Sequence, residues 1–185
     1  MKIGIIIGSV REGRIGAGVA DWVMAGATQR STGFDYELID LKSFELPMYT
    51  SPGIPAAGLE YDDERVRRWS SAIAGCDGFV FVTPEYNRGV PGAFKNAFDS
   101  IFPEWWNKPV AFVSYGTGYG FRVVEQWRLI VATANMFGIK AAVNLSTLLN
   151  FSGNELEPTE RHELERGMLF DSLEETTTAL AALRH

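Results

Sequence analysis

The sequence predicts an α/β fold in which a doubly wound, mainly parallel β-sheet carries helices on both faces. Five apolar segments of strand length alternate with helical segments along the whole chain. Two of them, 78–83 and 109–114, are apolar without interruption, which is typical of strands buried on both faces of a sheet. A length of 185 residues suits one domain with a sizeable core, so we expect residues 1–185 to form a single domain.

The first half of the chain supplies two strands, a helix and a long loop. Residues 2–7 are an apolar strand that runs into a glycine-rich turn, and the helical segment 15–29 follows. Residues 34–41 alternate in polarity and are bounded by Gly33, so they predict the second strand. Residues 43–60 contain three prolines and several small residues. A loop of that length is unusual in a compact domain, and we expect it to form a lid or a subunit contact.

The second half continues the alternation of helix and strand. A helix over 62–74 begins at Asp62 or Asp63 as its cap, and Pro91 opens a helix that runs to about residue 100. The predicted elements after strand 109–114 are a helix over 123–135, a strand over 139–145 and a helix over 158–183. Apolar residues mark the inward faces of these helices: Val66, Trp69 and Ile73; Val123, Trp127, Ile130 and Ala134; Leu164, Met168, Leu173 and Leu180.

Composition excludes several classes of function. The net charge of −6 and the pI near 5.0 argue against a nucleic-acid surface. Cys76 is the single cysteine, so we expect neither a disulfide nor a multi-thiolate metal site, and we expect its side chain to be buried. The two histidines, His162 and His185, both lie in the polar C-terminal region, which makes histidine catalysis and a zinc site improbable. No signal peptide or membrane-spanning run is evident, so we expect a cytoplasmic protein.

The turn over residues 8–16 predicts a phosphate site. A strand, a tight turn and a helix N-terminus present unpaired N–H groups and a positive dipole end to an anion. Ser9, Arg11 and Arg14 add side-chain donors. Gly8 and Gly13 have the spacing of a nucleotide P-loop, but Arg14 and Ile15 stand where Lys and Ser or Thr are required. A monophosphate therefore fits better than a triphosphate.

Two further unusual turns follow strands of the same predicted sheet. The loop 84–89 begins at Pro84 and offers backbone groups and the Tyr86 ring to a planar heterocycle. Glu85 has no histidine or carboxylate partner, so we expect it to be either solvated or structural. The turn 115–120 has three glycines that let its backbone approach a flat ligand. In doubly wound sheets ligands bind beyond the carboxyl ends of the strands, so we expect all three turns to meet at one site.

Three motifs carry a resemblance to a known family. The segments IGSxR at 7–11, TPEYNxxxPGxxKNAxD at 83–99 and VSYG at 113–116 resemble the NADPH-dependent FMN reductases, which include flavin, quinone, azo-dye and chromate reductases. The resemblance extends over roughly residues 2–145. It implies a flavodoxin-like fold with a five-stranded parallel sheet in the order 2-1-3-4-5.

The resemblance also implies FMN as the cofactor and assigns roles to residues. Many members have a serine soon after Arg11, where this chain has Arg14, Ile15 and Gly16. By resemblance, the FMN phosphate is bound by Ser9, Arg11, Ile15 and Gly16, with Arg14 offsetting the missing hydroxyl; one part of the isoalloxazine ring is lined by Pro84, Glu85, Tyr86 and Asn87; and its other edge is met by Ser114, Tyr115, Gly116 and Gly118.

The implied chemistry needs no catalytic side chain and no metal. Hydride would pass from NADPH or NADH to flavin N5 and then to a small acceptor in a ping-pong sequence, with the acceptor a free flavin, a quinone, an azo dye or a metal oxyanion. The alternatives are a flavodoxin-like electron carrier and a flavin-dependent redox-sensing protein. The resemblance further implies a homodimer or homotetramer, for which the loop 43–60, Phe102 and the Trp105–Trp106 pair are candidate contacts. The other role open to these three aromatic residues is packing within the subunit.

Overall fold

The computed structural model describes residues 1–58 and 60–183; Leu59 of the long loop, Arg184 and His185 lie outside the described residues. The sheet has five parallel strands in the order β2-β1-β3-β4-β5, as the resemblance implied. The central strands pair along their whole length, and Ile5, for example, lies between Leu38 and Val80. The strands are β1 (Lys2–Ile7), β2 (Asp35–Asp40), β3 (Gly78–Pro84), β4 (Pro109–Gly116) and β5 (Phe137–Ser146).

Helices cover both faces of this sheet, which confirms the doubly wound prediction. Helices α1 (Gly16–Thr28) and α5 (Glu160–Leu180) pack on one face, and α2 (Glu64–Ala74), α3 (Gly92–Asp99) and α4 (Phe121–Ala132) pack on the other. Short 3₁₀ turns occupy 41–44, 55–57, 103–105 and 181–183. The sequence did not predict the small hairpin of β6 (Phe151–Ser152) and β7 (Glu155–Leu156). The helices of the described chain are too short or too polar to cross a membrane.

The two sides of the sheet have different cores. Aliphatic residues dominate between the sheet and α1 and α5, whereas the α2–α4 side is an aromatic cluster around Phe81 and Trp127, whose ring centroids are 5.1 Å apart. Trp105 is fully buried in this cluster, so of the two roles left open for it, packing and a subunit contact, it has the packing role. Its neighbour Trp106 is 43% exposed. Cys76 is buried as predicted, and burial raises the pKa of its thiol to about 11, so it is protonated at neutral pH.

The predicted apolar stripe of α5 is also wrong. Leu164 and Met168 are 70% and 66% exposed, and Leu173 is the one member of that stripe that is fully buried. The face that packs on the sheet carries polar residues as well as apolar ones, so apolar periodicity alone placed the helix in the wrong rotation. The buried face consists of His162, Arg166, Leu169, Phe170, Leu173, Glu174 and Thr177.

Candidate functional site

The structure brings the three unusual loops together at the carboxyl edge of the sheet. Strands β1, β3 and β4 are neighbours, so the turns that follow them lie side by side. The Gly8 N–H donates to the Val82 carbonyl at 2.9 Å, and the hydroxyls of Ser9 and Tyr86 are 2.9 Å apart. The Glu85 N–H likewise donates to the Tyr115 carbonyl at 2.9 Å. Each of the three turns is therefore tied to a neighbour.

The first turn is packed tightly at its base and open at its tip. A Cβ on Gly8 would lie 2.2 Å from the Phe94 ring, so only glycine lets the chain leave β1 there. Ser9 is buried beneath the turn, whereas Arg11 is exposed and its guanidinium lies 5.7 Å from the centre of the Tyr86 ring. Gly13 has a left-handed φ of +63°, which returns the chain toward α1.

Arg14 holds the turn in place from below. Its guanidinium donates to the Ser9 carbonyl at 2.7 Å and to Asp40, at the end of β2, at 2.5 Å. A second ion pair joins Lys42 to Glu12 in the same turn at 2.6 Å. These two pairs anchor the first turn to the end of β2. Asp40 is a contributor that the sequence motifs did not indicate.

The N-terminus of α1 faces this turn without a side-chain cap. Its capping residue, Ile15, has no side-chain acceptor, and within the described residues no side chain bonds to the amides of Gly16, Ala17 or Gly18. By contrast, Asp63 caps α2. Unpaired amides at the positive end of a helix dipole are suited to bind an anion.

The second turn is held in a strained backbone conformation. Tyr86 and Gly89 exchange two backbone hydrogen bonds, of 3.1 and 2.9 Å, around Asn87 and Arg88. Both central residues have positive φ, +49° and +67°, and such a conformation is unfavourable for arginine. Gln126 of α4 stabilises the turn, because its side chain donates to the Arg88 carbonyl and accepts from the Val90 N–H. Gln126 was not indicated by the sequence motifs.

Glu85 supports this turn and caps α4. Its carboxylate accepts from the backbone N–H groups of Arg122 and Val123 at 3.1 and 3.4 Å, and from the Arg122 guanidinium at 3.0 Å. The cap comes from outside the helix, since the residue at the capping position is Gly120. Of the two roles that the sequence left open for Glu85, solvated or structural, these contacts supply the structural one.

The third turn is closed by a buried serine. Ser114 is fully buried, and its hydroxyl lies 3.0 Å from the Tyr119 carbonyl and 2.9 Å from the Asn144 side chain. Tyr119 and Gly120 both have positive φ. Pro84 and Ser114 lie inside the strand ladder, whereas Gly116 and Gly118 are partly exposed at the edge. Glycines at that edge leave the backbone accessible to a flat ligand.

Tyr115 points away from the third turn and toward α1. Its ring is in the core shared with Ile7, Val19 and Val82, and it is 5% exposed. Burial raises the pKa of its phenol, and Tyr86 raises it further, against smaller lowering effects of Ser9 and the arginines of the first turn. The phenol is therefore protonated at neutral pH and can donate a hydrogen bond.

A separate groove of about 780 Å³ lies beneath the long loop, between residues 47 and 63. Asn96 of α3 fixes one end of that loop, because its side chain accepts from the Tyr49 N–H at 2.8 Å and donates to the Pro47 carbonyl at 2.9 Å.

Among residues 1–58 and 60–183, no group of three or more His, Cys, Asp or Glu side chains could hold a metal.

Comparison with known proteins gives a matching family model and relatives that are named as reductases. The family model described as NADPH-dependent FMN reductase matches residues 1–148. The chain is 48% identical over 120 residues to an NAD(P)H-dependent FMN reductase of Schizosaccharomyces pombe, an alignment that covers 64% of this chain and 59% of the relative. It is 32% identical over 126 residues to a 2-hydroxy-1,4-benzoquinone reductase of Burkholderia, covering 64% and 62%. The chain thus spans about three fifths of the length of each relative.

A solved structure supports the fold over a larger share of the chain. The flavoenzyme NAD(P)H:(acceptor) oxidoreductase FerB of Paracoccus denitrificans superposes with a TM-score of 0.72 and covers 96% of this chain and 97% of its own. The two sequences are 18% identical, so this likeness bears on the fold alone.

Proposed function

The chain belongs to the NADPH-dependent FMN reductase family, and from that premise we propose that it is a cytoplasmic FMN-binding oxidoreductase. Its electron donor is NADPH or NADH, and its acceptors are small molecules such as free flavins and quinones. The observation that carries the proposal is the convergence of an uncapped helix N-terminus, Ser9 and Arg11 with the two turns at the carboxyl ends of β3 and β4. That arrangement combines an anion site with an edge that is open to a flat ring.

The residues at this edge fit FMN. The amides at Ile15 and Gly16, the exposed Arg11 and the Ser9–Tyr86 hydroxyl pair are donors, and a phosphate supplies acceptors. Arg14 holds the Ser9 carbonyl, so in this proposal it positions the phosphate turn.

The ring would lie along the two glycine-containing turns. The backbone from Pro84 to Asn87 and the backbone at Gly116 and Gly118 would meet its edges, with the buried Ser114 as a support. The contacts of this turn with α4 fix the shape of the edge, including the strained φ values at Asn87 and Arg88: Gln126 of α4 bonds to the turn, and Glu85 of the turn bonds to the N-terminus of α4. An edge that is fixed before binding loses less conformational entropy when the ring binds.

A bound flavin would supply the redox chemistry, which is hydride transfer at N5 between NAD(P)H and the acceptor in a ping-pong order. The chain's own residues bind and orient the reactants. In this proposal no acid–base side chain acts; Glu85 bonds to the N-terminus of α4, and Cys76 is buried.

The test is reconstitution with FMN followed by anaerobic stopped-flow reduction with NADPH and with NADH, and then turnover on FMN and quinones. We expect rapid flavin reduction, and a lower affinity for FMN in Arg11→Gln. Lys2→Gln is the matched control, because Lys2 is an exposed cation paired with Glu37 at the opposite edge of the sheet. Slow reduction by both nicotinamides with fast transfer to a protein partner would favour the electron carrier, and failure to bind flavin would overturn the proposal.

We also propose that the protein forms a homodimer or homotetramer through the α3 side. Residues 54–56 of the long loop, Phe102 and Ile130 line a groove of about 280 Å³, and Phe102 packs edge-on against the exposed Trp106. Sedimentation velocity checks this proposal. We expect Trp106→Glu to shift the distribution toward monomer, and a wild-type protein that sediments as a monomer would contradict the proposal.

A further inference from the structure

Tyr115 has a buried hydroxyl without a partner. Among the side chains of residues 1–58 and 60–183, its Oη is the buried polar atom that makes no hydrogen bond of normal geometry. The Ser9 hydroxyl lies close enough to lower the pKa of the phenol, but its hydrogen bond of normal geometry is with Tyr86. The residue is 5% exposed, so the hydroxyl is shielded from bulk solvent. A buried donor that is left unsatisfied is costly, and native proteins retain one where a ligand or a function uses it.

The hydroxyl lies against the first residue of α1. A Cβ added to Gly16 would be 2.3 Å from Tyr115 Oη, so the absence of a side chain at Gly16 makes room for the phenol. The amides of this helix end are the ones without a side-chain cap. The Tyr115 hydroxyl is thus aimed at a helix N-terminus that is itself suited to an anion.

The groups around the hydroxyl are mostly donors. Ser9 and Tyr86 bond to each other at 2.9 Å, and in such a pair one hydroxyl hydrogen is left over. The α1 amides and the exposed Arg11 add further donors, and the Arg14 guanidinium is bound to Ser9 and Asp40. An anion with several acceptor oxygens is the ligand that would satisfy these donors together.

We propose that the Tyr115 hydroxyl donates a hydrogen bond to the phosphate of the bound flavin mononucleotide, and that this side chain does not contact the isoalloxazine ring. The inference rests on the proposed function. It reassigns the Tyr115 side chain from the ring edge, where the family resemblance put it, to the phosphate end. The direction of the side chain supports this, since successive β4 residues point to opposite faces and Tyr115 points to the α1 side while Ser114 points away from it.

The test compares two flavins that differ by the phosphate. Dissociation constants of the full-length apoprotein for FMN and for riboflavin are measured by quenching of flavin fluorescence, in wild type and in Tyr115→Phe. We expect Tyr115→Phe to weaken FMN binding about 10-fold or more, as for loss of a hydrogen bond to a charged group, and to change riboflavin binding less than about twofold.

A control separates this effect from a general loss of structure. Tyr36→Phe also removes a tyrosine hydroxyl, but that hydroxyl is partly buried and bonds to Glu174 on α5, away from the three turns. We expect it to leave both dissociation constants unchanged. The urea midpoint of apo Tyr115→Phe should be no lower than that of wild type, because the hydroxyl has no partner to lose.

The outcomes distinguish the phosphate role of Tyr115 from the proposed function on which it rests. Equal FMN binding by Tyr115→Phe and wild type, or equal weakening of FMN and riboflavin, overturns the phosphate role of Tyr115 and leaves the proposed function standing. A wild-type protein that binds neither flavin overturns both. Selective loss of FMN affinity with an intact urea midpoint supports the phosphate role.

Discussion

Replacing Gly16 with alanine tests the contact between α1 and Tyr115 without any ligand. The added Cβ would lie 2.3 Å from Tyr115 Oη and 3.2 Å from Cζ, whereas a Cβ at Gly18, one half-turn later on the same helix, has nothing within 4 Å. Gly16 is buried and Gly18 is exposed. The pair therefore separates helix propensity, which the two positions share, from steric contact, which only one of them has.

The magnitudes follow from these distances. Alanine is favoured over glycine in a helix by about 0.5–1 kcal/mol, so Gly18→Ala should raise the free energy of unfolding by that amount. The Gly16 Cβ is roughly 1 Å short of van der Waals contact, and overpacking of this kind costs about 1–3 kcal/mol. Gly16→Ala should therefore lower the free energy of unfolding by about 0.5–2 kcal/mol.

The assay is urea unfolding of the apoproteins, followed by tryptophan fluorescence. A Gly16→Ala, Tyr115→Phe double variant should recover part of the loss, because the contact at 2.3 Å disappears and the one at 3.2 Å remains. Equal stabilisation by Gly16→Ala and Gly18→Ala would refute the placement of the phenol against α1, and with it the basis for the Tyr115 proposal.

Three other substitutions test the supports of the fold and of the site. Glu174→Ala should destabilise by about 2 kcal/mol in urea unfolding, because it removes the buried carboxylate that accepts hydrogen bonds from Arg30, Thr32 and Tyr36. Arg30 is partly exposed and keeps its ion pair with Asp171, which limits the loss. Burial acts to raise the pKa of Glu174, but hydrogen bonds from Arg30, Tyr36 and Thr32 outweigh it and hold the pKa below its usual range. The stability that the ionised carboxylate contributes is therefore complete above about pH 4.5 and is lost as the pH falls further. The difference in free energy of unfolding between wild type and Glu174→Ala should accordingly shrink in acid. Glu85→Gln should cost about 1 kcal/mol through the weakened α4 cap, measured by thermal unfolding. Asp40→Asn should weaken FMN binding roughly 3- to 10-fold through Arg14, with unchanged FMN affinity as the contrary result.

Most of the fold could be predicted from the sequence, because its strands are strongly apolar and residues such as proline mark the element boundaries. Continuous apolar runs mark β3 and β4, and Pro91 precedes α3 by one residue. Helix α4 begins two residues earlier than predicted, since Glu85, which is distant in sequence, supplies its cap. A cap from another loop has no local sequence signal.

The orientation of α5 was not accessible, for a different physical reason. Its buried face includes Glu174, which is satisfied by Arg30 and Thr32 from the segment between α1 and β2 and by Tyr36 from β2. Tertiary hydrogen bonds of this kind make a carboxylate compatible with burial. The hydrophobic pattern of α5 then no longer indicates which side faces the sheet.

In the candidate site, too, the sequence shows only part of the arrangement. The motifs identify the loops that meet at the edge of the sheet, but they do not distinguish side chains that face the edge from those that hold it. Ser114 and Arg14 carry polar groups suited to a ligand, yet the structure commits one to the Tyr119 carbonyl and the other to Asp40. The Tyr115 hydroxyl has no such hydrogen bond, although Tyr115 is more deeply buried than Tyr86, the other tyrosine of the site. The satisfaction of each polar atom, which only the tertiary structure reveals, therefore decides which residue of a recognised motif is available to bind.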